Sequence, residues 1–101
     1  MGVKSSVTDA GKTLTIAVGG TFQFGVYREF REAYEAFTLS GADIRVDLTD
    51  ATYMDSAALG ILMLLREHAA LHAQKIVIAN APPVIRRILD IASFEKLFSI
   101  V

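Results

Sequence analysis

Hydrophobic and polar positions alternate with a period of two near the start of the chain. In residues 13–18 (TLTIAV) every second residue has a large apolar side chain, so Leu14, Ile16 and Val18 share one face. This pattern predicts a half-buried strand. The preceding residues 9–12 (DAGK) have turn chemistry, so residues 3–8 are predicted to pair with this strand as a hairpin. The glycine pair at 19–20 is expected to end the unit.

From Val26 onward the apolar period becomes helical, with charged residues at the positions in between. An amphipathic helix is therefore predicted, and Ser40-Gly41 is expected to stop it. Residues 44–48 then alternate again and predict a third strand, after which residues 49–55 are expected to form a loop. The apolar face of the helix consists of Tyr27, Phe30, Ala33, Tyr34 and Phe37.

The second half of the chain repeats the order of helix and strand. Residues 56–72 form a strongly apolar predicted helix, and 75–79 (KIVIA) is a continuous apolar run typical of a strand buried on both faces. Pro82-Pro83 opens another predicted helix, and residues 97–101 form a final short strand. The inward positions of that helix are expected to be Val84, Ile85, Ile88 and Leu89.

Strands that alternate with helices imply crossover connections and parallel pairing. With the first hairpin added, the predicted fold is α/β: a mixed, mostly parallel sheet of four to five strands, backed by about three to four helices. A length of 101 residues fits one domain, residues 1–101, and a hydrophobic content of 52% is ample for its core.

Composition narrows the function classes. The net charge is −1 and no basic stripe is present, so nucleic-acid binding is not expected. The longest apolar run, residues 57–65, is too short to span a bilayer, and the first residues lack the apolar stretch of a signal peptide. The absence of cysteine excludes disulfides and thiolate chemistry. A cytoplasmic protein without direct membrane insertion is expected.

The most informative position is Ser56, which follows Asp55 at the start of an apolar helix. Helix N-termini carry unpaired amides and a partial positive charge, so a phosphate on Ser56 would find favourable donors there. Asp and Ser are also common N-caps, and both residues would then serve to satisfy helix amides. Neither interpretation excludes the other. Gly60 keeps the first turn slim and allows another backbone to approach.

Other candidate sites carry weaker signals. His68 and His72 have a spacing that suits a metal, but no third ligand follows, so rim positions are expected rather than a metal site. No cofactor motif and no nucleophile–base pair is readable, so an enzyme is not expected. Phe22 and Phe24 lie in a glycine-flanked loop, either as part of a partner surface or as buried anchors.

Residues 46–65, which include DLTDATYMDSAALGILMLL, resemble the signature of STAS domains of the anti-sigma factor antagonist type. The resemblance continues through 20–22, 75–78 and the closing PPVIRRILDIASFEKLFSI. It implies that Ser56 is phosphorylated by a serine kinase, either an anti-sigma factor or a switch protein. It also implies that a metal-dependent serine phosphatase removes the phosphate, and that the unmodified form binds the kinase-like partner.

In that family many relatives have Ser-Gly where this chain has Ala57-Ala58, and an acidic residue near the position of Gln23. The function that the resemblance implies is an anti-sigma factor antagonist in a partner-switching circuit, released when Ser56 is phosphorylated. The alternative is a structural STAS subunit of a membrane lipid transport complex, without turnover of phosphate. The expected partner-binding residues are Phe22, Gln23, Phe24, Asp55, Ser56, Ala57, Ala58 and Gly60.

Overall fold

Six strands and three α-helices alternate along residues 2–101, the part of the chain that the computed structural model describes. The strands are β1 (Gly2–Thr8), β2 (Thr13–Phe22), β3 (Asp43–Asp47), β4 (Ala51–Met54), β5 (Lys75–Ala79) and β6 (Ser99–Ile100). The helices are α1 (Tyr27–Glu35), α2 (Ser56–Leu71) and α3 (Pro83–Ile91), with 3₁₀ turns at Phe24–Val26 and Phe94–Lys96.

One sheet contains all the strands, in the order β1-β2-β3-β5-β6, with β4 beside the end of β2. The pair β1–β2 is antiparallel, and every other pair is parallel. This confirms the predicted α/β class and the mixed, mostly parallel sheet. The sheet has one strand more than the predicted four to five, because β4 occupies the segment 49–55 that was expected to be a loop.

Strand β2 also runs four residues further than predicted, to Phe22. Its first half pairs with β3, and after the glycine pair it pairs with β4, with a shift of register between Gly20 and Thr21. Gly20 has a φ of 73°, which side chains disfavour, and its amide donates a hydrogen bond to the carbonyl of Asp50 (2.9 Å). The glycines therefore let β2 change partners instead of ending it.

All three helices lie on one face of the sheet. The parallel connections move in a single direction across it, and right-handed crossovers place their helices on the same side. Fully buried side chains from the strands and helices meet there, including Ile16, Ile44, Leu62, Ile78 and Ile85. No described helix is long and apolar enough to cross a membrane.

The opposite face of the sheet is only partly covered. Val77 of β5 lies on this face and is half-buried, which corrects the expectation that this strand is buried on both faces. Val84 was expected to face inward, but it lies in the first turn of α3 and is 52% exposed. Helix α1 ends at Glu35, before the predicted stop, while Phe37 in the following turn is still buried.

Candidate functional site around Ser56

Asp55 and Ser56 have different roles at the junction between β4 and α2. Asp55 is the N-cap residue in extended conformation, and its Oδ1 accepts a hydrogen bond from the amide of Ala58 (3.0 Å). Ser56 is the first residue of the helix, is exposed and takes no part in this cap. Capping therefore needs Asp55 alone, and the hydroxyl of Ser56 is open to solvent.

This junction is attached to the end of β2. The backbone amide of Asp55 donates a hydrogen bond to the carbonyl oxygen of Phe22 (3.2 Å), and Met54 pairs with Phe22 in the sheet. The 3₁₀ turn after β2 contacts α2. The structure thus places the segment around Gln23 and Phe24 beside the start of α2, although about thirty residues separate them in sequence.

The first turn of α2 can stabilise one anionic group, but two anionic groups placed there would repel each other. The amides of Ser56 and Ala57 belong to the unpaired N-terminal set of the helix, because the Asp55 cap serves Ala58. A phosphate on Ser56 can use these donors and the positive end of the helix dipole. It also brings a charge of about −1.5 to −2 beside the Asp55 carboxylate. Phosphorylation would therefore change the local charge sharply.

The predicted partner-binding residues divide into exposed and buried side chains. Phe24 is 70% exposed and stacks on Tyr27, with ring centroids 5.9 Å apart. Gln23, Ser56 and Gly60 are exposed, and Asp55 and Ala57 are half-buried. These residues are accessible to another protein.

Phe22 and Ala58 are corrections to the predicted surface, because both side chains are fully buried. Phe22 occupies an inward position of β2 and packs against Phe30, with ring centroids 5.4 Å apart. For Phe22 the buried-anchor interpretation holds. Neither residue presents accessible surface to a partner.

Two exposed apolar residues near this junction were not identified from the sequence. Leu64 is 41% exposed and follows Ser56 and Gly60 at intervals of four, so the three residues form one stripe along α2. The i, i+4, i+8 spacing was a signal in the sequence that pointed to this stripe. Tyr53 is 53% exposed, three residues before Ser56, and its exposure depends on β4, which the sequence did not predict.

We define the Ser56 surface as the exposed and half-buried residues Gln23, Phe24, Asp55, Ser56, Ala57, Gly60 and Leu64. At Gly60 no atom lies within 4 Å of the position that a Cβ would take, so the free protein has open space there. The stripe of Ser56 and Gly60 is therefore the slimmest part of the surface. It admits close approach by another backbone.

Asp47 at the end of β3 fixes the turn that leads into β4. Its Oδ1 accepts hydrogen bonds from the amide (3.0 Å) and the hydroxyl (2.6 Å) of Thr49, and from Nδ2 of Asn80 (3.4 Å). Partial burial acts to raise the pKa of Asp47, but these hydrogen bonds outweigh it and hold the pKa below its ordinary value of 3.8. Asp47 is accordingly a structural carboxylate beneath the junction.

The two histidines belong to a row of neighbouring aromatic rings that are tilted relative to one another. His68 lies between Tyr34 (4.8 Å between centroids) and His72 (4.3 Å), and both histidines are half-buried. Burial, together with the nearby Tyr27 and Glu35, raises the pKa of Tyr34 to about 12. Within residues 2–101 no group of three or more His, Cys, Asp or Glu is placed to hold a metal ion.

Known proteins are similar to this chain in sequence and in fold. The family model described as "Mlab, STAS domain" matches residues 5–101. A STAS-domain containing protein of Pseudomonas aeruginosa (strain UCBPP-PA14) is 48% identical over 90 residues, which cover 89% of this chain and 89% of that protein.

Solved structures at lower identity share the fold. The anti-sigma factor antagonist SpoIIAA in its unphosphorylated form is 15% identical, with a TM-score of 0.72 over 98% of this chain and 86% of that one. Its phosphorylated form, from Bacillus, has a TM-score of 0.68 over 98% and 90% at the same 15% identity. A sulfate transporter family protein from Wolinella succinogenes is 12% identical, with a TM-score of 0.79 over 93% and 75%. The family predicted from residues 46–65 is thus confirmed, and the chain belongs to the STAS domain family.

Proposed function

We propose that this protein is an anti-sigma factor antagonist that binds a kinase-like anti-sigma or switch protein through the Ser56 surface. The observation that carries the proposal is that Asp55 and Ser56 have separate roles at the start of α2. Because Asp55 alone caps the helix, the hydroxyl of Ser56 is exposed and available for modification without loss of the cap. The similarity to SpoIIAA, known in unphosphorylated and phosphorylated forms, supports this choice.

Docking in the unmodified state uses apolar contact and close approach. Phe24 supplies a large exposed ring, and its stacking on Tyr27 holds that ring in place before the partner arrives. Leu64 supplies a second apolar contact along α2. Between Phe24 and Leu64, the small residues Ser56 and Gly60 form a shallow strip that a segment of the partner can cover. Preorganised aromatic contacts around a small-residue strip suit a specific protein interface.

Release follows from the charge that phosphate brings. In the bound state the partner covers the start of α2, so a phosphate on Ser56 would have to be buried next to the Asp55 carboxylate. Burial of charge without a paired cation is costly, and the repulsion from Asp55 adds to it. In the free state the same phosphate stays in water and meets the helix amides. Phosphorylation therefore favours the free state.

The chain contributes the acceptor hydroxyl and the docking surface, and the partners contribute the chemistry. The kinase-like partner supplies nucleotide, magnesium and the base that takes the serine proton. A metal-dependent serine phosphatase then hydrolyses the phosphoserine and restores the binding form. On this proposal the protein itself is not an enzyme, and the circuit operates in the cytoplasm.

The test compares Ser56→Ala and Ser56→Asp in a pull-down with the kinase-like anti-sigma or switch protein. We expect Ser56→Ala to bind constitutively in the presence of ATP, and Ser56→Asp to bind poorly. Ser40→Asp, at an exposed serine in the turn before β3, is the matched control and should bind like the wild type. Equal binding by all three variants would refute the proposed switch.

A second candidate is a structural STAS subunit of a membrane transport complex. The similarity of fold to the sulfate transporter family protein favours it, since a STAS fold also occurs there. In that case the Ser56 surface would be a permanent contact without turnover of phosphate. The intact mass of the protein after incubation with cell extract and ATP separates the two functions: an added phosphate supports the switch, and a stable membrane-associated complex with unchanged mass supports the transport subunit.

A further inference from the structure

A groove runs between β1 and α1, on the helix-covered side of the sheet. Its volume is about 490 Å³. The floor is apolar and is formed by Val3, Val7, Leu14 and Phe37, while Glu29 and Glu32 of α1 line one wall. None of these residues belongs to the Ser56 surface, so the groove is a separate feature of the molecule.

Strand β1 forms the outer border of this groove and is an edge of the sheet. It pairs with β2 along its whole length, and its other side has no strand partner within residues 2–101. Val7 is 53% exposed, although it shares the inward face of β1 with the partly buried Val3. Seven residues of edge strand beside an apolar groove offer both backbone hydrogen bonds and side-chain pockets to an added strand.

Charge on α1 is divided between its two flanks. Glu29 and Glu32 lie on the groove flank, and neither forms an ion pair with another described residue. Arg31 lies on the other flank, where its guanidinium is 5.3 Å from the ring centroid of Tyr27 and its Nε is 3.7 Å from Oε1 of Glu35. The residues that line the groove therefore include two carboxylates and no lysine or arginine, and Arg28, one turn before Glu32, forms no ion pair with either carboxylate.

The acidic and apolar parts of the groove follow each other along β1. Oε1 of Glu29 lies 3.9 Å from the position that a Cβ on Gly2 would take, which places this carboxylate at the first residues of the strand. The exposed Val7 lies at the other end of β1, where it pairs with Leu14 of the neighbouring strand β2. An added strand would meet acidic groups at one end and apolar side chains at the other.

We propose that β1 accepts an extended basic segment of a partner protein as an additional strand of the sheet. Every second side chain of that segment points into the groove, with Lys or Arg opposite Glu29 and Glu32 and apolar residues opposite Val7. The backbone of the segment pairs with the free edge of β1. Its affinity comes from main-chain hydrogen bonds and its selectivity from the two carboxylates.

A second copy of this chain fits the groove less well than a basic segment does. Pairing of β1 with β1 of another copy about a two-fold axis would bring the same acidic wall from each copy toward the shared edge. In an antiparallel pair the acidic end of each β1 lies beside the apolar end of the other, so four carboxylates would flank one interface without a cation to pair with them. Charge complementarity thus favours a cationic partner of different sequence.

The probe is a fluorescein-labelled octapeptide with threonine at alternate positions and, between them, two lysines followed by two valines. A second peptide carries the two valines before the two lysines. Two orders are needed because the lysines reach Glu29 and Glu32 only when their order matches the direction, parallel or antiparallel, in which the peptide pairs with β1. In fluorescence anisotropy we expect one of the two to bind the wild-type protein. We expect the double variant Glu29→Lys/Glu32→Lys to weaken that binding at least tenfold, and a rise from 50 to 500 mM NaCl to weaken it in the wild type.

Matched controls separate the groove from general charge attraction. Glu35→Lys changes the charge on the other flank of the same helix and should alter binding less than twofold. The same peptide with glutamates in place of lysines should not bind. Bound peptide should slow amide hydrogen exchange in β1, a readout that does not depend on the variants. The Ser56→Ala protein should bind the peptide like the wild type, so the result is independent of the proposed switch.

Several results would overturn the proposal. They are failure of both lysine peptides to bind, equal binding of the glutamate peptide, an equal effect of Glu35→Lys, and unchanged hydrogen exchange in β1. Sedimentation of the free protein as a dimer that the peptide does not dissociate would also overturn it, by assigning the groove to a second copy.

Discussion

The backbone amide of Asp55 donates a hydrogen bond to the carbonyl oxygen of Phe22 at 3.2 Å, and this bond fastens the start of α2 to the end of β2. The same residue caps the helix through its side chain. Ser56 is therefore presented from a junction that two independent contacts hold in place. A partner that reads this residue meets a preformed surface, and the cost of ordering it on binding is small.

The cap gives the first prediction, because it assigns different consequences to two neighbouring residues. Asp55→Ala should lower the free energy of unfolding by about 1 kcal/mol, the usual loss for a missing N-cap. Ser56→Ala should change the free energy of unfolding by less than about 0.5 kcal/mol, because the hydroxyl group that it removes is exposed and takes no part in the cap. Urea denaturation of both variants measures this. A Ser56→Ala loss as large as that of Asp55→Ala would show that Ser56 shares the capping role.

The two phenylalanines at the end of β2 form a second test. Phe22→Ala should destabilise the protein by about 3–5 kcal/mol, since it leaves a cavity beside Phe30. Phe24→Ala should leave stability nearly unchanged, because the ring is 70% exposed, but should weaken binding to the kinase-like partner. Thermal unfolding and a binding titration separate the effects. Wild-type affinity in Phe24→Ala would remove this residue from the docking surface.

Gly60 offers a substitution with opposite effects on stability and binding. Gly60→Ala meets open space in the free protein and should stabilise α2 by about 0.5–1 kcal/mol. The added methyl group lies between Ser56 and Leu64, where the partner is proposed to approach closely, so affinity should fall. Isothermal titration and thermal unfolding of the same preparation measure both quantities. A more stable variant with unchanged affinity would place the contact elsewhere.

Asp47 makes stability depend on pH in the acid range. Its pKa is lower in the folded protein than the ordinary 3.8, because hydrogen bonds from Thr49 and Asn80 favour the charged form over the opposing effect of burial. The group therefore contributes stability above pH 3.8, and this contribution is lost as the pH falls through the folded pKa. Asp47→Asn should be less stable than the wild type at pH 7, and the difference should shrink toward pH 2. Urea midpoints across this range measure it, and a constant difference would contradict the assigned role.

The sequence was sufficient for the elements whose apolar pattern is long and regular. The hairpin of β1 and β2, the helix from Ser56 and the strand from Lys75 are present close to the predicted positions, because each packs apolar residues against the same core. The start of α2 could be placed near Asp55 and Ser56, since both are recognisable capping residues, but the structure was needed to assign the cap to Asp55.

Other features depend on contacts that are distant in sequence. Strand β4 has only four residues and no regular alternation, and it exists because β2 changes partners at Gly20. The burial of Phe22 follows from that longer β2, and the exposure of Tyr53 follows from β4. The groove beside β1 likewise requires the packing of α1 over the hairpin. No local pattern in the sequence carries this information.

The central claim is that Ser56 is the residue that carries the phosphate. Phosphopeptide mapping of the protein co-expressed with the kinase-like anti-sigma or switch protein tests this most directly, with Ser56→Ala as the control. We predict one added phosphate, on the peptide that contains Ser56, and none in the Ser56→Ala protein. A phosphate at another residue, or an unmodified Ser56 in the presence of an active kinase, would contradict the proposed switch.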